Sequence, residues 1–182
     1  MTEFPEIIKD GDIELRRQKP TFEMAKETFE TIDRNREYLG PWLPWVNGTR
    51  TLEDMYEGLK HVFENEIFWR IFLDSRFVGC ISFVNKNKKA KWLEIGYWID
   101  SAASGKGVMT RAVQLLEKAA FENSDNWNMI QIRCNPENLP SSGIPRRLGY
   151  HLDGEIRCDT VDSNGELRNT LVFSKFKSEW KR

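Results

Sequence analysis

The chain of 182 residues holds only two histidines, His61 and His151, and three cysteines, Cys80, Cys134 and Cys158. Two histidines are too few for a typical histidine metal cluster, and no metal site is expected. An odd number of widely spaced cysteines matches neither a disulfide framework nor a zinc-binding pattern, which points to a reducing cytoplasm. Excess charge of one sign is also absent. The net charge is −1 and the pI is about 6.2, so bulk charge gives no reason to expect a nucleic-acid or polyanion partner. No apolar run approaches the roughly 18–20 residues that a membrane-spanning helix needs, so no membrane partner is expected. The first residues, Met1-Thr2-Glu3-Phe4-Pro5-Glu6, are acidic and lack an apolar segment, so a signal peptide is not expected. There is no internal repeat, low-complexity segment or long linker. A hydrophobic share of 40% and a charged share of 30% are ordinary for one globular domain of this length.

Residues 92–111 are the most informative stretch. Trp92-Leu93-Glu94-Ile95-Gly96-Tyr97-Trp98-Ile99 is rich in aromatic and β-branched types and reads as a buried strand. Gly105-Lys106-Gly107 then frees the backbone to turn. From Val108 to Phe121, Val108, Met109, Ala112, Leu115, Leu116, Ala119 and Ala120 recur at helical spacing. A glycine turn that opens a helix points unpaired N–H groups at one spot, where the helix dipole adds positive charge. Such a place suits an anion like a pyrophosphate.

Patterning elsewhere predicts a strand at 12–17 and a helix opened by Pro20-Thr21, with Phe22, Ala25, Phe29 and Ile32 on one face. Two prolines and two tryptophans in residues 39–47 then break the helix; this apolar loop either packs on the core or walls a substrate pocket. Thr51 and Asp54 make a weak capping box for a second helix. Strands are expected at 67–73 and 77–84, forming an antiparallel hairpin. The basic run Lys86, Lys88, Lys89 and Lys91 reads as a solvated loop rather than a phosphate site. A strand at 129–134 completes a βαβ unit with a parallel pair. A short helix follows over 139–148, weakened by Gly143 and Pro145. Strands at 150–158 and 167–176 flank Asn164-Gly165, the strongest hairpin signal in the chain. The order β, α, α, β, β, β, α, β, α, β, β describes an α/β chain with a mixed sheet.

This order, with its glycine turn after the fourth strand, resembles the GCN5-related N-acetyltransferase (GNAT) superfamily. Residues 94–99, Gly105-Lys106-Gly107 with Thr110 and Ala112, Asn138 with Ser141, Leu148, Gly149 and Tyr150, and the loop Trp42-Leu43-Pro44-Trp45 are similar to its RimL/RimJ-like branch, which acetylates ribosomal-protein N-termini. The resemblance extends from about residue 13 to 180. It implies a single N-acetyltransferase domain over residues 1–182, with a central mixed twisted sheet of six to seven strands and about four flanking helices. It implies direct transfer of acetyl from acetyl-CoA to an amine: the N-terminal α-amine of a ribosomal protein or peptide, or else a small amine such as a polyamine, amino acid or antibiotic. A non-catalytic acyl-CoA-binding module would keep the glycine turn but need neither Glu94 nor Ser141. Exposed aromatics allow a homodimer without requiring one.

The resemblance also assigns expected roles. Coenzyme A would be held by Ile95, Tyr97, Trp98, Ile99, Gly105, Lys106, Gly107, Val108, Met109, Thr110, Asn138 and Ser141. Trp42, Trp45 and Glu94 would meet the acceptor. Two positions depart from the superfamily pattern. Ala102 stands where an Arg or Gln is frequent, so the pyrophosphate would rest on backbone N–H groups. Pro145 stands where many members carry a tyrosine that protonates the leaving thiolate, and Ser141 is the expected acid in its place. A backbone N–H near Tyr97 or Trp98 would polarise the thioester carbonyl. Lys106, Arg111, Arg146 and Arg147 are either partners for the 3′-phosphate or ordinary surface charges.

For the residues themselves the alternatives stay open. Glu94 shares a strand face with Trp92, Gly96 and Trp98; it is a general base with a pKa raised by burial, or a carboxylate paired with a cation. Gly96 marks a bulge, a close pantetheine approach or plain packing. Asn138 caps a helix, binds pantetheine, or does both. Cys134 reads as a buried structural thiol. An α-amine with a pKa of about 8 is about one-tenth neutral at pH 7, whereas a lysine is neutral about four times in ten thousand, so an α-amine asks less of the base.

Overall fold

A computed structural model describes residues 4–180. Its sheet has eight strands in the order β1-β2-β3-β4-β5-β6-β8-β7. In chain order the elements are β1 (Ile7–Asp10), β2 (Ile13–Arg16), α1 (Phe22–Asp33), α2 (Arg36–Leu39), α3 (Pro44–Gly48), α4 (Leu52–Asn65), β3 (Ile67–Leu73), β4 (Arg76–Asn87), β5 (Trp92–Ile99), α5 (Val108–Phe121), β6 (Met129–Cys134), α6 (Leu139–Arg147), β7 (His151–Val161) and β8 (Leu167–Phe176). The α/β class and mixed sheet are as expected, with one strand and two α-helices beyond the expected numbers.

The extra strand is β1, which pairs antiparallel with β2 through the turn at Gly11 (φ +58°). The two loop residues, Gly11-Asp12, are themselves a hairpin signal. The extra helices are α2 and α3, in the stretch expected to be an irregular loop. Pro44 takes the first position of α3, where its missing N–H costs nothing. Arg36 then collects the stretch: its Nη1 donates to the Val46 carbonyl at 2.6 Å and its Nη2 to the Thr49 carbonyl at 2.8 Å.

Caps define the longer helices. Thr21 accepts the Met24 N–H at 3.2 Å to start α1. Thr51 and Asp54 close a full capping box on α4, with Oγ1 accepting the Asp54 N–H at 3.1 Å and Oδ2 accepting the Thr51 N–H at 2.9 Å. Such a cap contributes about 1 kcal/mol.

The sheet separates two apolar layers. Leu93 and Ile95 of β5 join Val113, Leu116 and Phe173 in one cluster. Phe68, Phe72, Phe77 and Cys80 join Ala25 and Ile32 of α1 and Met55 and Leu59 of α4 in the other. Alternation along β5 therefore sends Ile95 and Tyr97 toward the first cluster and Trp98 toward the second.

Candidate active site

Among the described residues only β5 and β6 run parallel, and their pairing stops early. Register holds from Trp92↔Met129 to Ile95↔Ile132. Beyond it, residues 96–99 pair only with β4, and Arg133 and Cys134 only with β8. The sheet thus splays after Ile95, leaving one edge of β5 without a strand partner. A cavity of about 550 Å³ fills the opening, lined on the β5 side by Tyr97, Trp98 and Ile99 and on the helix side by Gly105, Gly107, Val108, Met109 and Thr110.

Gly105 and Gly107 have φ of +73° and +77°, a region that L side chains enter at a cost. Neither has an atom within 4 Å of where a Cβ would be, so the glycines answer to backbone conformation rather than crowding. Gly107 caps α5, and the first helical bond at this end is Arg111 N–H to the Gly107 carbonyl at 3.0 Å. The N–H groups of Val108, Met109 and Thr110 therefore precede the ladder, which is the arrangement that holds a phosphate oxygen.

The turn is anchored from α1 and α2. Asp100, 1% exposed, accepts from Arg34 Nη2 at 2.8 Å, Asn35 Nδ2 at 3.1 Å and the Ala102 N–H at 3.1 Å. Burial pushes its carboxyl up, but these donors and the Arg34 charge outweigh burial and leave it below the ordinary aspartate value. Tyr38 Oη bonds Ser104 Oγ at 3.0 Å, tying α2 to the residue before Gly105.

At the other end of the cavity the α6 N-terminus meets β5. Asn138 caps α6 by accepting the Ser141 N–H at 3.1 Å and also lines the cavity. Ser141 Oγ donates to Tyr97 Oη at 3.3 Å, and Tyr97 Oη donates to the Ser141 carbonyl at 3.1 Å. Burial pushes the Tyr97 phenol well up, with Ser141's hydrogen bond opposing it. Cys134 neighbours Ser141; burial pushes its thiol up to about 11, so it remains a neutral thiol.

Glu94 does not line this cavity. It faces a second one of about 590 Å³, between Pro41, Trp42 and Pro44 on one side and residues 159–162 with Arg168 and Thr170 on the other. Burial raises the Glu94 pKa, opposed by the Arg133 charge and a hydrogen bond with Asn85. Arg133 is itself paired with Asp159 at 2.6 Å. Asp159 lies in an irregularity of β7, where residues 157–159 stand against Asn169 alone and Cys158 takes φ +51°. Trp42 belongs to both cavities, and Cys134, beside Ser141, lines the second. The two spaces are therefore neighbours.

Of the residues expected to hold coenzyme A, Tyr97, Trp98, Ile99, Gly105, Gly107, Val108, Met109, Thr110, Asn138 and Ser141 line the first cavity. Ile95 does not; it is 1% exposed in the core. Lys106 does not either, because its ammonium donates to the Ala102 carbonyl at 2.8 Å. Trp45 lines neither cavity and sets its ring against Trp98 at 6.4 Å. Among the four basic candidates, only Arg147 reaches the first cavity, with Nη2 on Thr110 Oγ1 at 3.3 Å. Arg111 is held by Asp10 and Asp12, and Arg146 covers the Phe173 ring. Gly96 answers to packing: a Cβ there would stand 2.5 Å from Val84 Cγ1, which the β4 bulge between Phe83 and Asn85 brings over it.

The Tyr97 hydroxyl, Tyr38 and the Arg34–Asn35–Asp100 network were not anticipated as site features. Alternation places Tyr97 on the Ile95 face, the one hint available; the network joins residues 65 apart in sequence and leaves no local signal.

YdaF of Bacillus subtilis (strain 168) is 29% identical over 162 residues, covering 86% of this chain and 87% of that protein. The ribosomal-protein-serine acetyltransferase of Escherichia coli (strain K12) is 27% identical over 138 residues, covering 73% and 76%. Among solved structures, the RimL ribosomal L7/L12 α-N-protein acetyltransferase in complex with coenzyme A has the same fold, with a TM-score of 0.85 at 22% identity over 94% of this chain and 98% of that one. The family model of the acetyltransferase (GNAT) domain matches residues 14–151, a span that contains the splayed strands, the glycine turn and Ser141. The chain therefore belongs to the acetyltransferase (GNAT) domain family.

Proposed function

We propose that this protein is an acetyl-CoA-dependent N-acetyltransferase that acts on the α-amine of a protein or peptide N-terminus, with ribosomal proteins as the substrate class. One observation carries the reading: a cavity built on a helix N-terminus adjoins a carboxylate-bearing cleft, and the two share Trp42. The E. coli relative named for a ribosomal-protein serine supports the acceptor class.

Acetyl-CoA supplies an acetyl thioester. The N–H groups of Val108, Met109 and Thr110 receive its pyrophosphate, with Arg147 as the nearby cation. The unpaired edge of β5 runs alongside the pantetheine arm, Asn138 bonds it, and an N–H near Tyr97 or Trp98 polarises the carbonyl. On the other side, Glu94, Asp159 and Asp162 face Arg133 and Arg168, three carboxylates against two guanidiniums. That balance draws a cationic amine into the cleft. Glu94, whose burial raises its affinity for a proton, accepts one from the ammonium so that a neutral amine attacks. Ser141 gives a proton to the departing thiolate.

The test is thiol release from acetyl-CoA over a panel of N-terminal peptides, polyamines and amino acids. Turnover with peptides whose α-amine is free, abolished when that amine is blocked, is expected. Preference for a small amine would replace the acceptor class. Tight acetyl-CoA binding without release on any acceptor would remove the enzymatic reading.

A further inference from the structure

We infer that Tyr97 and Ser141 form a two-hydroxyl relay, in which the proton that Ser141 gives to the thiolate is replaced by the phenolic proton of Tyr97. The inference rests on the reading of Ser141 as the acid and adds the group behind it.

Geometry carries it. The two hydroxyl oxygens stand 3.3 Å apart, both residues line the cavity, and Tyr97 Oη also bonds the Ser141 carbonyl at 3.1 Å. The phenol is thus held against Ser141 by two contacts across 44 residues of sequence. A hydroxyl proton has no fixed direction. Rotation about the phenolic C–O bond redirects the Tyr97 proton from the Ser141 carbonyl to Ser141 Oγ. Once Ser141 points its own proton at sulfur, its lone pairs are free to accept that bond.

The chemistry requires a second group. A serine hydroxyl does not ionise in the aqueous range, so an isolated serine is a poor acid for a thiolate whose conjugate thiol titrates near 8.5. A phenol is a far stronger acid than a serine hydroxyl, and although burial raises the Tyr97 pKa, it is the group placed to replace the proton as it leaves. The α6 helix carries Pro145 in its C-terminal half and offers no phenol from that side; β5 supplies one from the opposite wall. In balance, the Ser141 Oγ–H bond breaks as S–H forms. The Tyr97 Oη–H bond breaks as a new Ser141 Oγ–H forms, and solvent water returns a proton to Tyr97 after product leaves. The titratable and charged groups facing the phenol are Cys134 of β6, Arg147 of α6 and Tyr150 before β7. Burial keeps Tyr97 protonated, so its proton is in place when the thiolate forms, and the contact with Ser141 Oγ gives that proton its path.

The experiment is a double-mutant cycle on the full chain, read as kcat and as KM for acetyl-CoA at saturating acceptor. Tyr97→Phe and Ser141→Ala are each expected to lower kcat about tenfold or more with KM changed less than about twofold. The double variant is expected to be no more than about twofold slower than the slower single variant, because both act on one proton path. Replacing Tyr97 by 3,5-difluorotyrosine, a more acidic phenol of nearly the same shape, is expected to keep turnover and move the alkaline limb of kcat to lower pH. This variant carries the test if Tyr97→Phe does not fold. Multiplicative losses, or an alkaline limb that does not move, overturn the relay. A slow Ser141→Ala beside a Tyr97→Phe of wild-type rate overturns the relay alone; a Ser141→Ala of wild-type rate overturns the reading beneath it.

Discussion

Asn35 and Asp100 lock the junction of α1 and α2 to the end of β5. Asn35 Nδ2 donates to Asp100 Oδ1 at 3.1 Å while Asn35 Oδ1 accepts the Ser101 N–H at 3.0 Å. Both residues are buried, and the turn they fix leads directly into Gly105 and Gly107. The turn beside the first cavity is thus held by the junction of α1 and α2.

Asp100→Ala is expected to destabilise the protein by about 2 kcal/mol, because Asn35 keeps a buried amide without its carboxylate partner. Urea titration measures this, and calorimetry should show weaker acetyl-CoA binding. The pH sign follows from the folded pKa, which lies below the ordinary value. The Asp100 contribution is present above the unfolded aspartate pKa and is lost as pH falls through the folded one. The variant should therefore lose less stability than the parent on acidification.

Gly96→Ala drives a methyl group against Val84 Cγ1. Overpacking of this kind costs about 1–3 kcal/mol. The double variant Gly96→Ala/Val84→Ala is expected to recover most of the loss in thermal melting. If it recovers none, the neighbour is not what excludes a side chain at Gly96.

Gly107→Ala forces a side chain into left-handed backbone, at a cost of roughly 1–2 kcal/mol. It should also tilt the N–H groups of Val108 and Met109, so acetyl-CoA affinity should fall. Gly107→Trp should abolish binding altogether. Calorimetry decides; full affinity in the Trp variant would rule out the pyrophosphate site.

Glu94→Gln should lower kcat about tenfold or more with little change in acetyl-CoA affinity, since Glu94 lies in the second cavity. Burial raises its folded pKa, so the acid limb of the parent's pH–rate profile should lie above the ordinary carboxylate range. The stability sign runs the other way from Asp100. A raised folded pKa means that stability falls as pH rises from the unfolded glutamate value through the folded one. The Gln variant should therefore melt higher than the parent at neutral pH, with the gain vanishing in acid.

Trp42→Ala removes a wall common to both cavities. KM for acetyl-CoA and for the acceptor should rise together, whereas Trp45→Ala, outside both, should alter neither by more than about twofold. Steady-state kinetics with each substrate varied separates these outcomes.

Much of the frame was legible because it is local. The helix stripe in α5, the glycine turn at Gly105 and Gly107, the Thr51–Asp54 box and the Asn164-Gly165 hairpin depend on residues a few positions apart. Strand β1 was not read from the sequence, although Gly11-Asp12 carries a hairpin signal. Residues 39–47 were harder. Prolines there spoke against helix, yet Pro44 sits where a helix accepts it, and Arg36 supplies bonds that no neighbouring residue announces.

The sequence by itself determined the order of the longer elements, the glycine turn that opens α5 and the α6 cap that presents Ser141. Periodicity and turn chemistry act over a single turn of helix or one strand pleat, so they survive without tertiary context. The tertiary structure decided that Glu94 and Ser141 open on two adjoining cavities, that Arg147 alone among the basic candidates reaches the first of them, and that Tyr97 bonds Ser141. Each of these depends on where β5 parts from β6 after Ile95. That parting is a matter of register between strands joined by a helix, which no short stretch of sequence encodes.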